Sequence, residues 1–136
     1  MKAGRIFTLA FLFLLLLTSL TTASSGSNKV THEQIEKNLI VGVKSDNYGL
    51  RVSSAYFLGG IKSSNSVNHL LKLLHNGETE EERIIAALSL IKIQSSIGTF
   101  AVKRSAIFDD SERVRKICGR FYLTHIATTQ NNSSFD

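Results

Sequence analysis

Residues 50–61 read LRVSSAYFLGGI, and this stretch matters because it recurs. Arg51 opens a pattern of arginine, two variable residues, two small residues, two variable residues and a large apolar one. The pattern returns at Arg83 (RIIAALSL) and, more loosely, at Arg115 (RKICGRFY). Arg51, Arg83 and Arg115 thus stand at a constant 32-residue step. Self-similarity at a fixed period in this range is the signature of stacked structural repeats. Such an architecture specifies a scaffold and leaves the function to be argued from surfaces.

Aligned on the arginine, the repeats share a chemistry at each position. Three residues on stand Ser54, Ala86 and Cys118, and four on stand Ala55, Ala87 and Gly119. All are small, as close helix packing requires. Seven on stand Leu58, Leu90 and Tyr122, large and expected inward. Five residues before each arginine is an acid: Asp46, Glu78 and Asp110. The spacing predicts three acid–arginine pairs, Asp46 with Arg51, Glu78 with Arg83 and Asp110 with Arg115, tying each turn to its helix and to the next loop. A charged ligand-binding ladder is the rival reading, and paired turn charges in repeats favour the structural one.

The remaining sequence divides into helices and short breaks. Thr31, with Gln34 three residues on, forms a capping box that opens a first helix, about 31–44, with Ile35, Leu39 and Val43 on one stripe. After the turn SDNYG a second helix covers about 50–62, with Leu50, Ser54, Leu58 and Ile61 inward. A third follows the break SSNS over 67–75, ending at Asn76-Gly77. Thr79 caps a fourth, about 80–94, whose acidic first turn suits the helix dipole and which is apolar nearly all round. A fifth, 99–108, carries Phe100, Val102, Ala106 and Phe108, and a sixth, about 111–126, carries Val114, Cys118, Phe121, Tyr122 and Leu123. The sequence contains no proline and no alternating strand pattern. The expectation is an all-α chain of three helical hairpins.

Residues 1–23 have a different character. Lys2 and Arg5 precede the apolar run Ile6–Leu17 and the small-residue stretch Thr18–Ala23. That layout is a secretory signal peptide cut after Ala23, with the run too short for a spanning anchor. The division is then signal peptide 1–23, flexible leader 24–30, repeat domain 31–126 and disordered tail 127–136, the tail carrying glycosylation sequons at Asn131 and Asn132. Loss of Lys2 and Arg5 on export lowers the net charge from +5 to +3. A charge of that size argues against nucleic acid. The expected location is periplasmic or secreted, with no membrane span after cleavage. The single cysteine cannot form an internal disulfide, so stability must come from the apolar core.

The stretches LRVSSAYFLGGI and ERIIAALSLIKI resemble the second helix of HEAT or HEAT-like repeats, whose usual form is Val-Arg-x-x-Ala-Ala-x-x-Leu-Gly-x-Ile. The short period is similar to the compact variety found in phycobilin lyases. The likeness spans about 31–126, lacks the proline common in the first helix, and weakens in the third repeat at Gly119 and His125. It implies a right-handed α-α superhelix, with the second helices lining a concave side. Residues one, five and eight past each arginine then form a candidate binding row: Val52 and Tyr56, then Ile84, Leu88 and Ile91, then Lys116 and Arg120. An apolar floor with a basic end suits a protein or peptide partner bearing acidic groups, while the same row packed on all sides would simply be core.

Catalytic constellations are poor. His32-Glu33 resembles one His-Glu pair of HEAT-type deoxyhypusine hydroxylases, whose iron site needs several. His69 and His75 are six apart, away from the four-residue spacing of a helical metal pair. Cys118 sits at the slot of Ser54 and Ala86, which predicts a buried, inert thiol. The expectation is therefore a monomeric, non-catalytic scaffold that binds a protein or peptide, without cofactor or metal. The alternative is a lyase-like accessory protein holding a cofactor or small ligand in its groove.

Overall fold

A computed structural model describes residues 30–133. The expected signal peptide and all of the leader except Val30 lie outside the described residues. The described chain is all-helical: α1 (His32–Val43), α2 (Tyr48–Gly60), α3 (Val67–Asn76), α4 (Glu80–Ile93), α5 (Ser96–Phe108) and α6 (Glu112–Ser133), with a 3-10 turn at Ser64–Ser66 leading into α3. No strand occurs among the described residues. None of these helices is long and apolar enough to cross a membrane.

Each helix, or the 3-10 turn leading into it, starts on a side chain that accepts a backbone N–H, and these caps keep the sequence period. Thr31 accepts from Gln34, Ser63 from Ser66 and Ser95 from Gly98; the three caps follow one another at the 32-residue step. Asn47 accepts from Leu50, Thr79 from Glu82 and Ser111 from Val114, and these three keep the same step. Thr31 and Thr79 complete capping boxes with Gln34 and Glu82. The helix ends repeat as well: Lys62 and Gln94, one repeat apart, both adopt the left-handed backbone, which turns the chain into the next cap.

α1 pairs with α2, α3 with α4 and α5 with α6. Between hairpins α2 packs on α4 and α4 on α6, whereas α1, α3 and α5 touch one another little. The core therefore lies between the two helices of each hairpin and along the α2–α4–α6 row. Leu58, Leu70, Leu74, Leu90, Val102, Val114 and Cys118 are its fully buried large members. The small-residue slots sit inside it: Ser54, Ala55, Ala86, Ala87 and Cys118 are buried. Where α2 crosses α4, a Cβ on Gly59 would come within 2.7 Å of the Ser89 backbone, so only glycine permits that approach. Ser89 uses the closeness to donate to the Ala55 carbonyl at 2.8 Å.

Several boundaries and orientations differ from the sequence expectation. α2 begins two residues earlier than Leu50, because Asn47 in the turn is its cap. α5 begins at Ser96 rather than Thr99, because Ser95 is a cap and Gly98 lies inside the first turn against Leu90. The tail expected to be disordered from 127 is helical as far as Ser133. The cause is the third repeat's sequence. Where Lys62-Ser63 and Gln94-Ser95 stop one helix and cap the next, this repeat has Ile126-Ala127. A β-branched residue resists the left-handed stop and alanine offers no cap, so the helix continues, with Thr128 and Thr129 bonded back to the carbonyls of Thr124 and His125. Ile35 and Leu50, placed inward by sequence, are exposed, as are Phe100, Phe108 and Leu123.

Candidate functional site

The three arginines point at the turns that precede their helices, and what they meet there is mainly backbone. Arg51 Nη1 donates to the carbonyls of Ser45 (3.1 Å) and Asp46 (2.8 Å). Arg83 Nη1 donates to Gly77 O (2.9 Å), and Arg115 Nη1 to the carbonyls of Asp109 (2.5 Å) and Asp110 (3.1 Å). The carboxylate pairing expected within each repeat is thereby corrected. Arg51 binds Asp46 through its carbonyl, and among the described residues no salt bridge joins Glu78 to Arg83 or Asp110 to Arg115. The acid lies five residues back on the chain, but the turn carbonyls point at the guanidinium and claim its inner face.

The carboxylates come instead from the following hairpin. Arg51 Nε donates to Glu82 Oε1 at 2.5 Å and its Nη2 to Glu78 at 3.3 Å. Arg83 holds both oxygens of Asp109, at 3.0 and 3.3 Å. The result is a ladder in which Arg51 and Arg83 each fasten their own turn to the next repeat, while Arg115 fastens its own turn. Burial pushes the Glu82 carboxyl up, but the Arg51 bond and the Thr79 N–H outweigh it, and the net shift is below the usual carboxylate value. The Glu82 bond in turn raises the Arg51 guanidinium. On the outer side, Arg113 joins Glu80 (3.0 Å) and Glu81 (2.5 Å). That contact lowers both carboxyls, with the Ser111 hydroxyl contributing most at Glu80.

At each junction this arrangement leaves a cleft. One, of about 540 Å3, lies over Arg51 and is bounded by Asp46, His69, Lys72 and Glu78. The other, of about 460 Å3, lies over Arg83 and is bounded by His75, Arg104, Phe108 and Asp110. Their walls correspond at the 32-residue step: Lys72 with Arg104, Glu78 with Asp110. Both are charged, and their central arginines are already engaged in the ladder.

The expected binding row follows the second helices but is not an open apolar floor. Val52, Ile84, Leu88 and Ile91 are half-buried, Tyr56 is exposed, and Lys116 and Arg120 are exposed at the far end. Tyr56 is also covered from one side, since the Lys92 ammonium lies 4.4 Å from its ring centre. The larger apolar surface is elsewhere. On α5, Ile97, Phe100, Ile107 and Phe108 are between 58% and 72% exposed. Their spacing of three, seven and one residues sets them on one broad face, with Arg104 among them. One repeat earlier the matching positions are Asn65, in the 3-10 turn, and Asn68, His75 and Asn76 on α3, all polar and all exposed. That contrast is the signal sequence reading passed over: α5 carries large apolar groups at positions that are polar and exposed one repeat earlier.

Cys118 is fully buried, and burial together with the nearby Asp109 pushes its thiol up to about 11. His32 and His75 are exposed on separate helices, and His69 is half-buried in the first cleft. No protein-family model matches this chain, and no curated protein matches it significantly.

Proposed function

We propose that this protein is a small exported, non-catalytic HEAT-like array whose three hairpins form a short right-handed α-α superhelix that binds a protein or peptide. The constant 32-residue step, the six helix caps in the same register and the arginine ladder support the repeat reading. The layout of residues 1–23 supports export. The observation that carries binding is the outer face of α5, where two phenylalanines and two isoleucines stand in solvent at positions that are polar one repeat earlier. Water-exposed aromatic groups grouped on one helix face are what a partner surface buries. Lys103 and Arg104 flank the patch and favour a partner with acidic groups around an apolar centre.

The test is crosslinking capture from the native envelope with the wild-type protein and with Phe100→Asp/Phe108→Asp. Both side chains are exposed, so the variant keeps its fold, verified by its unfolding midpoint, and loses the partner. A folded variant that captures the same partner refutes the assignment of this face. Tyr56→Asp tests the concave row in the same assay, and loss there with retention in the α5 variant transfers the site to the row. N-terminal sequencing of the native protein is expected to begin near Ser24, and a retained residue 1 overturns cleavage.

A further inference from the structure

We propose that copies of this chain stack head to tail, the first hairpin of one docking on the third hairpin of another, so that the 32-residue array continues across the contact. The observation is a mismatch between what the two ends display and what the same positions do inside. Val41, Leu50 and Phe57 on the first hairpin are 64%, 48% and 55% exposed. One repeat later, the same positions hold Leu73, Glu82 and Ser89, all buried at the junction with the hairpin before. In the third repeat they hold Ser105 and Val114, both buried, and Phe121, packed against the core. The first hairpin thus presents large apolar groups at positions whose function elsewhere is to contact a preceding hairpin, and among the described residues it has none.

The other end has the complementary gap. Leu123 is 67% exposed, whereas its counterparts Gly59 and Ile91 are buried and half-buried beneath the next hairpin. Arg115 spends only Nη1, on its turn carbonyls. In Arg51 and Arg83 the same Nε and Nη2 hold carboxylates of the following hairpin. Among the described residues Arg115 therefore lacks the carboxylate its two equivalents have. Asp46, at the register position of Glu78, forms no side-chain hydrogen bond or salt bridge among the described residues. Stacking by the register already present sets Asp46 of one copy against Arg115 of another, as Glu78 meets Arg51. It also sets Phe57 over Gly119 and Leu123, at the positions where Ser89 meets Ala55 and Gly59. The occupant is a second copy because both halves of the contact, acid with apolar groups and arginine with leucine, lie on this one chain. Such a contact is heterologous and open, so the assembly is a short filament rather than a closed dimer. It replaces the monomer expected from sequence, and it does not depend on the face assigned to the partner above.

Sedimentation velocity on the purified protein tests it. The mean mass of the wild type is expected to rise steadily with concentration. Leu50→Asp/Phe57→Asp blocks one end and Arg115→Glu/Leu123→Asp blocks the other; each alone is expected to be monomeric. Mixed, they can join only through their intact ends and should give a heterodimer and nothing larger. Thermal unfolding of each variant confirms that it is folded. A wild type that stays monomeric at every concentration overturns the proposal. So does a mixture that remains monomeric, or a closed dimer that persists in either variant.

Discussion

Arg51 and Arg115 occupy the same position in their repeats, yet truncating them should have unequal effects. The Arg51 side chain is 15% exposed and faces Glu82, whose side chain is 0% exposed. Arg51→Ala removes four hydrogen bonds and leaves a buried carboxylate facing only backbone N–H groups, that of Thr79 at 3.0 Å foremost. Breaking a buried pair from one side costs about 3–5 kcal/mol, most of it the penalty of the stranded charge. Glu78 adds little, because its side chain is 82% exposed and water takes over its charge. Arg115→Ala removes only two bonds to turn carbonyls, for about 1–2 kcal/mol. The two variants should differ by about 1–4 kcal/mol, and each kcal/mol moves the midpoint by roughly 4–8 °C in a domain of about this size. Urea and thermal unfolding followed by far-UV circular dichroism measure the difference. A second substitution checks the mechanism. If the cost is the stranded charge, Glu82→Gln in the Arg51→Ala background should recover part of the loss, since glutamine keeps the Thr79 contact without the charge. Equal costs for the two arginines, or no relief from Glu82→Gln, would refute the reasoning.

Cys118, Glu82 and the C-terminal extension each give a further outcome. Cys118 should resist thiol reagents in native buffer even at mildly alkaline pH and react once denaturant unfolds the chain; fast labelling of the folded protein contradicts the burial. The folded-state Glu82 carboxyl titrates below its unfolded value, so its contribution is present above that unfolded value and is lost as pH falls through the lower one. Acid unfolding of Glu82→Gln should accordingly be flatter over that window than wild type, and identical pH profiles would count against it. Removing residues 127–136 should cost less than about 1 kcal/mol in urea unfolding, because Ala127–Asn132 are exposed extensions of α6; a larger loss would mean the extension packs on something.

The helical class was legible because apolar spacing and the small-residue slots repeat. Helix starts were less so, and for a definite reason. Ser63 and Ser95 sit in polar runs, SSNS and SSIG, that read as breaks, and a serine in a break is indistinguishable from a cap until its neighbour's N–H is placed. The 32-residue register could have resolved it, since Thr31, Ser63 and Ser95 fall on one series and Asn47, Thr79 and Ser111 on another. The length of α6, ended near 126 in the sequence expectation, follows in the same way from the absence of a stop at Ile126-Ala127. Leu50 reads as inward because its helix periodicity is sound, but the face it shares belongs, in the later repeats, to a preceding hairpin, and among the described residues the first repeat has none.

The ladder shows why side-chain pairing was harder to read than fold. Arginine recurs at one position because much of what it binds is the backbone of its own turn, whose carbonyls are present whatever the sequence. Its carboxylate partner is free to move. Glu82 and Glu78 supply it at the first junction, one and five residues before the next arginine, and Asp109 supplies it at the second, six residues before. Where Asp109 does the work the position of Glu82 is released, and Val114 fills it with an apolar side chain. A pattern confined to one repeat sees a constant acid five residues back and pairs it locally. The constant acid is mostly bystander, and the bond that fastens the hairpins spans 26 to 31 residues. Pairing across repeats is decided by which carboxylate the stacking brings within reach of a guanidinium already oriented by its turn, and that choice is made by packing.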